Sequence, residues 1–306
     1  GITELVINQV LLEEEKLTVA FETYSRKAKN DSNSRNAFLL RHDFNNQKET
    51  VVHLKLEDYY LDGFRFETIE NERVGCAGLF SQENVSGSMG TAWFEVDLST
   101  GKVENAVFQR FQDNIIKKKE RNRFSSSGEI YIDALDLTQL IKYDNGDFLL
   151  VAEQNAYPAP GSTYFQSWDI VLVRINPQGE IVKEFRISKG QAMHSTSDFL
   201  SHSLTLIGED IFVFCNANEA YLKRKYNTKK ASLEDMFPAV IHINEDYEME
   251  RYLLISDERL KKKAFKEMAV LMVPDAVYID DGRAIVFMEK GRKGRQSKLF
   301  ELRLKP

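Results

Sequence analysis

Five times along this chain a short, nearly continuous apolar run follows a charged or glycine-bearing turn. That repetition restricts the fold more than any other feature of the sequence. The runs occupy residues 16–22, 73–79, 147–153, 210–216 and 283–289. Apolar runs of this length suit strands buried on both faces. The turns ahead of them include Asp144-Asn145-Gly146 and Asp280-Asp281-Gly282. Asn-Gly and Asp-Gly supply the positive φ angles that tight hairpins need.

A second series follows the first: residues 38–43, 93–97, 172–176, 240–244 and 299–303. Four of the five end in Asp or Asn, namely Asp43, Asp97, Asn176 and Asn244. Their side chains bond nearby backbone and start turns. Alternating stretches then follow, such as residues 102–108 and 180–187, with the pattern of edge strands. Each unit thus reads as strand, hairpin, buried strand, loop, strand, turn, edge strand. The intervals between units are irregular and too long for a short-period solenoid. They fit propeller blades, which run from ~40 residues upward and accept loop insertions. The expected fold is all-β and β-propeller-like, about five four-stranded antiparallel units in one domain over residues 1–306. Packed β-sandwiches are the alternative. The last unit stops after its third strand. Residues 113–123 and 256–268 have helical composition and read as links between units.

Composition agrees with pleated, half-buried strands: 20 Phe and 12 Tyr against 6 Pro. The net charge of −6 and pI of about 5.6 argue against a dedicated nucleic-acid binder, which needs a concentrated basic face. The basic clusters at 117–123, 223–225, 261–263 and 290–295 read as solvated connectors. No apolar run reaches the roughly 18 residues that a membrane-spanning helix needs, so a soluble chain is expected.

The segment 140–191 carries a resemblance. It reads Leu-Ile-Lys-Tyr-Asp-Asn-Gly-Asp-Phe-Leu-Leu-Val-Ala-Glu-Gln, then a Tyr-rich insertion. Trp168-Asp-Ile-Val-Leu-Val-Arg-Ile-Asn-Pro-Gln-Gly-Glu180 follows, and the segment ends at Ile187-Ser-Lys-Gly-Gln191. With Gly90-Thr-Ala-Trp-Phe-Glu-Val-Asp-Leu-Ser-Thr-Gly101 upstream, it resembles uncharacterised propeller-like proteins exported by Bacteroidota. The likeness covers residues 63–255. It implies the propeller fold and a place in the periplasm, on the outer-membrane surface or outside the cell. It implies no activity.

No catalytic motif is present. A Ser-His-Asp arrangement can be drawn among His194, Ser195, Ser197, Asp198 and His202, but no Gly-x-Ser-x-Gly elbow accompanies it. Cys76 and Cys215 are isolated from any His at zinc spacing, so no metal site and no cofactor is expected. They fall in units two and four and are expected to be unbridged, inert thiols.

Two features suggest ligand binding. The first-series runs end in Glu22, Glu153, Asn216 and Glu289, with Leu79 the exception, so polar groups recur at one structural level. The loop 155–168 mixes Tyr157, Tyr164, Phe165 and Trp168 with Asn, Gln and Ser. Aromatic faces with polar tips suit glycan or peptide recognition. The expected site is Glu153, Tyr157, Tyr164 and Trp168, with Asn216 and Asn218 from the next unit. The expected function is a non-catalytic binding or scaffold module for a glycan or a protein or peptide partner. The rival is a hydrolase or lyase with its site in a propeller pocket. An enzyme requires two ionisable groups with separated pKa values within reach of one substrate position.

Overall fold

The structure is a computed structural model. It describes residues 2–25, 36–54, 59–70, 72–82, 87–117, 120, 129–156, 164–194, 200–218, 236–254, 270–280, 283–290 and 297–304. Its elements are strands, arranged as successive antiparallel meanders. The first sheet runs β1 (Ile2–Glu13), β2 (Lys16–Ser25), β3 (Asn36–Asp43), β4 (Lys48–Leu54), in that order. The second runs β5 (Tyr60–Glu70), β6 (Arg73–Ser81), β8 (Gly90–Asp97), β9 (Lys102–Arg110). Between β6 and β8 the short β7 (Gly87–Ser88) pairs with β10 (Ile132–Asp133).

The third sheet is β11 (Leu135–Lys142), β12 (Phe148–Ala156), β13 (Tyr164–Ile175), β14 (Ile181–His194). The fourth is β15 (His202–Ile207), β16 (Asp210–Asn218), β17 (Met236–Ile243), β18 (Met249–Leu253). The fifth has three strands, β19 (Val270–Asp280), β20 (Arg283–Lys290) and β21 (Ser297–Arg303).

The two repeated series are therefore the second and third strands of each sheet. They pair as the pattern requires: Arg73 faces Asp97, Ile211 faces Ile243, and Arg283 faces Arg303. Burial follows position in the meander. β6 is buried along nearly its whole length, whereas the outer β9 has no buried residue. An inner strand is covered on both faces; an edge strand meets water.

The turn chemistry is also as read. Asp97 Oδ1 accepts N–H bonds from Ser99 at 2.8 Å and Thr100 at 3.2 Å. The Ser99 and Thr100 hydroxyls, with these backbone bonds, lower its carboxyl to about 2. Asp43 Oδ1 takes Asn45 N–H at 2.9 Å, Asn176 Oδ1 takes Glu180 N–H at 2.8 Å, and Asn244 Oδ1 takes Glu248 N–H at 2.7 Å. The expected helical link at 113–123 begins as a turn, with Ile115 N–H bonded to Gln112 C=O. The other link, 256–268, lies outside the described residues.

The chain divides into two compact units: Gly1–Gln154 with Val171–Arg186, and Asn155–Ile170 with Ile187–Pro306. In the first, Leu39, Phe64, Phe66, Phe80 and Phe94 build one apolar cluster. Leu79, Trp93, Phe148, Leu150, Val171 and Val173 build another. In the second, Phe212, Phe214, Val240, Met272 and Ala284 pack together. Burying such side chains is worth ~1.5–3 kcal/mol apiece.

One position recurs that the sequence patterns did not show. The residue at the start of the second strand, or just before it, pairs with the third-strand residue two before the turn. Arg73 meets Glu95 at 2.5 Å, Asp147 meets Arg174 at 2.7 Å, and Asp210 meets His242 at 2.7 Å. In the first sheet the two positions hold Lys16 and Arg41, and Glu72 bridges them. The signs are reversed in the third sheet, and in the first the opposite charge comes from outside the sheet.

Candidate functional site

The polar level falls inside the second strands, which run on to Ser25, Ala156 and Asn218, and three of its members are interior; the Glu289 side chain lies outside the described residues. Glu22 is 3% exposed, Glu153 2% and Asn216 0%. A charge taken out of water needs partners. In the first unit Glu22 accepts the Asn8 amide at 3.0 Å and lies near Arg65, whose guanidinium burial holds below its usual range. Glu153 lies opposite Asp136 in the β11–β12 ladder. Its neighbour Gln154 donates to Asp133 C=O at 3.0 Å and accepts from Arg186 Nη2 at 3.0 Å.

In the second unit Asn216 is spent internally. Its Nδ2 donates to Met272 C=O at 2.7 Å and its Oδ1 accepts Met272 N–H at 2.9 Å. Asn216 C=O accepts Gln191 Nε2 at 2.6 Å. Gln191 Oε1 accepts Ser201 N–H at 2.9 Å and the Lys189 ammonium at 2.8 Å. Lys189 Nζ also donates to Ser167 Oγ at 2.6 Å. Lys189 is 1% exposed, and this run of bonds links β13, β14, β16 and β19 through the interior. Each oxygen on the path offsets desolvation of the ammonium or of a backbone group.

Of the expected site residues, Trp168 sits half-buried in β13, between buried Ser167 and buried Asp169. Tyr164 is the first residue of β13, and Asn218 ends β16 opposite Met236. Tyr157 lies outside the described residues. Trp168, Tyr164, Asn216 and Asn218 belong to the second unit and Glu153 to the first. The residues that sequence reasoning passed over are Lys189, Gln191 and Ser167. Lys189 and Gln191 stand two apart in a strand, hence on one face. Two long polar side chains on one face of an otherwise core-forming strand were the available signal.

His202 is buried, while Ser195, Ser197 and Asp198 lie outside the described residues. His242 stacks on Phe212 with centroids 4.6 Å apart, and His42 reaches Glu49 at 3.2 Å. No group of three or more His, Cys, Asp or Glu among the described residues could hold a metal ion. Among the same residues no helix is long and apolar enough to cross a membrane. Neither Cys76 nor Cys215 is part of a disulfide, and both are buried.

The chain is an all-β, β-propeller-like protein. No family model matches it. No curated protein matches it. Among solved structures it is similar to the β-propeller domain of the Trilobed protease from Pyrococcus furiosus, at 10% identity and a TM-score of 0.45. That match covers 100% of this chain and 70% of that one. It is similar to the acylaminoacyl peptidase of Pyrococcus horikoshii at 10% identity and a TM-score of 0.44, over 98% of this chain and 45% of that one. It is similar to the polysaccharide lyase Uly1 at 12% identity and a TM-score of 0.43, over 95% of this chain and 56% of that one. The chain thus spans about half the length of the latter two. At these identities nothing of their chemistry passes to this chain.

Proposed function

We propose that this chain is a binding or scaffold module of the bacterial envelope that recognises a glycan or a peptide through aromatics where the chain passes from β12 into β13, with Tyr164 and Trp168 in β13 itself. The observation that supports this is the setting of Trp168. It is half-buried on a strand whose neighbouring residue, Ser167, is tied to the buried Lys189. An aromatic held by a rigid strand loses little freedom on binding, and such preorganisation is what recognition rewards. Long loops on rigid scaffolds are where binding residues concentrate. The expected loop 155–168 is strand at both ends, Asn155 and Ala156 in β12 and Tyr164 to Trp168 in β13; Tyr157, between the two strands in sequence, and Tyr164, the first residue of β13, are further aromatics here.

Replacing Tyr157 and Tyr164 together by Ala tests the reading against a glycan and peptide array. The expected result is a melting temperature close to wild type and loss of the array signal. A loss of several kcal/mol of stability, the range for deleting buried aromatics, assigns these rings to packing and ends the proposal. Release of cleaved product from a bound array ligand replaces it with the hydrolase or lyase reading.

A further inference from the structure

Residues 111–117 leave the end of β9 and are held against β14 by two of its side chains. Glu184 Oε2 accepts Gln112 N–H at 2.9 Å. Two residues on, and so on the same strand face, Arg186 Nη1 donates to Ile115 C=O at 2.8 Å. The segment also sinks Phe111, Ile115 and Ile116 into the core of the first unit. Glu184 is 3% exposed, and its Oε1 is buried with no hydrogen-bond partner among the described residues.

A carboxyl in that position is tolerated as the neutral acid and penalised as the anion. Arg186 does not neutralise it, because its guanidinium is already bidentate with Glu120, at 2.7 and 2.8 Å. The remaining charged groups of the surrounding elements in this unit are Asp113 and Lys117 on the strap, Lys183 on β14, Lys102, Glu104 and Arg110 on β9, and Arg174 on β13. Arg174 is held by Asp147, and Arg110 by Glu129. Burial pushes the Glu184 carboxyl up to about 6, with the Gln112 N–H pulling the other way and no charged neighbour contributing.

We propose that Glu184 is a pH-sensitive latch: protonated, it holds the strap 111–117 on β14, and ionised, it favours the strap's release into water. The closed strap binds the Glu184 proton more tightly than the open one. Closure is therefore fully supported below the ordinary carboxylate range and loses support as pH rises through about 6. The device is independent of the binding reading above and lies in the other unit.

Amide exchange of the peptide spanning 109–117, read by mass spectrometry and corrected for intrinsic rate, tests it on the whole chain. From pH 5 to pH 8 the opening constant should rise about five- to ten-fold. Carbon NMR of the Glu184 carboxyl should titrate with the same midpoint. In Glu184→Gln the amide keeps Gln112 N–H bonded, carries no charge, and should flatten the exchange profile. Exchange that does not change with pH in the wild type overturns the proposal. So does a carboxyl midpoint apart from the exchange midpoint, a comparison that holds even where the Gln variant does not fold.

Discussion

Asn216 and Met272 share two hydrogen bonds: the side-chain amide of one takes both the N–H and the C=O of the other, at 2.9 and 2.7 Å. Gln9 does the same to Phe66 in the first unit, with both bonds at 2.9 Å. A primary amide carries a donor and an acceptor side by side, as a peptide group does. It can therefore satisfy the backbone of a neighbouring sheet where no strand is available to pair.

The two clasps differ in burial, which gives a first prediction. Asn216 is fully buried, so Asn216→Ala strands two backbone groups of Met272 away from water. Each such group costs about 1–3 kcal/mol, and a total of about 2–6 kcal/mol is expected. Gln9 is half-buried, and water can replace its amide in Gln9→Ala, for a loss of about 1 kcal/mol. Urea denaturation of both variants measures the difference. An Asn216→Ala loss no larger than that of Gln9→Ala contradicts the assignment.

Asn216 also shows how far the sequence could be read. The second and third strands were legible because burial on both faces requires continuous apolar runs, and four of the five third strands run into a turn-starting Asp or Asn. First strands were less legible: β1 carries two register shifts and keeps Leu5, Ile7, Val10 and Leu12 exposed, so its pattern is not that of a core strand. The polar Asn216 in β16 was visible, but its partner lies 56 residues away. A local pattern marks a polar group as unusual; it does not say whether ligand or backbone receives it. Arg186 and Glu120 were missed for the same reason, being 66 residues apart.

That buried pair supplies a second prediction. Arg186 and Glu120 side chains are 6% and 2% exposed. Removing one partner leaves the other charge in the interior, so Arg186→Met should cost about 3–5 kcal/mol. Adding Glu120→Gln removes the orphan charge and should return a substantial part of the loss. A double-mutant cycle followed by chemical denaturation reads the coupling directly. Additive single losses mean that the pair does not interact.

A third prediction concerns Cys76, which is fully buried in β6; burial pushes its thiol well above the ordinary range. The nucleophile is the thiolate, which is scarce under these conditions and out of contact with reagent. Alkylation of Cys76 in the native chain should therefore track opening of the fold and become fast only in denaturant. Fast native labelling would show that β6 does not lie where the ladder places it.

The last prediction concerns Trp93, which is 1% exposed and lies against two glycines. Its ring meets Phe148 at 4.7 Å. A Cβ on Gly75 would stand 2.8 Å from Trp93 Cζ2, and one on Gly179 2.5 Å from Trp93 Cδ1. Gly179 also has φ +85, a left-handed angle that a side chain opposes. Gly75→Ala should cost about 1–3 kcal/mol by overpacking. Gly179→Ala should add about 1 kcal/mol of backbone strain to a similar clash. Trp93→Leu separates the two terms. It removes the ring without forfeiting a hydrogen bond, because Trp93 Nε1 has none among the described residues. In that background Gly75→Ala should become nearly neutral, while Gly179→Ala should keep its strain of about 1 kcal/mol. Thermal or urea denaturation of the six chains gives both couplings. If Gly75→Ala costs the same with Leu at position 93 as with Trp, the indole is not what forbids a side chain there.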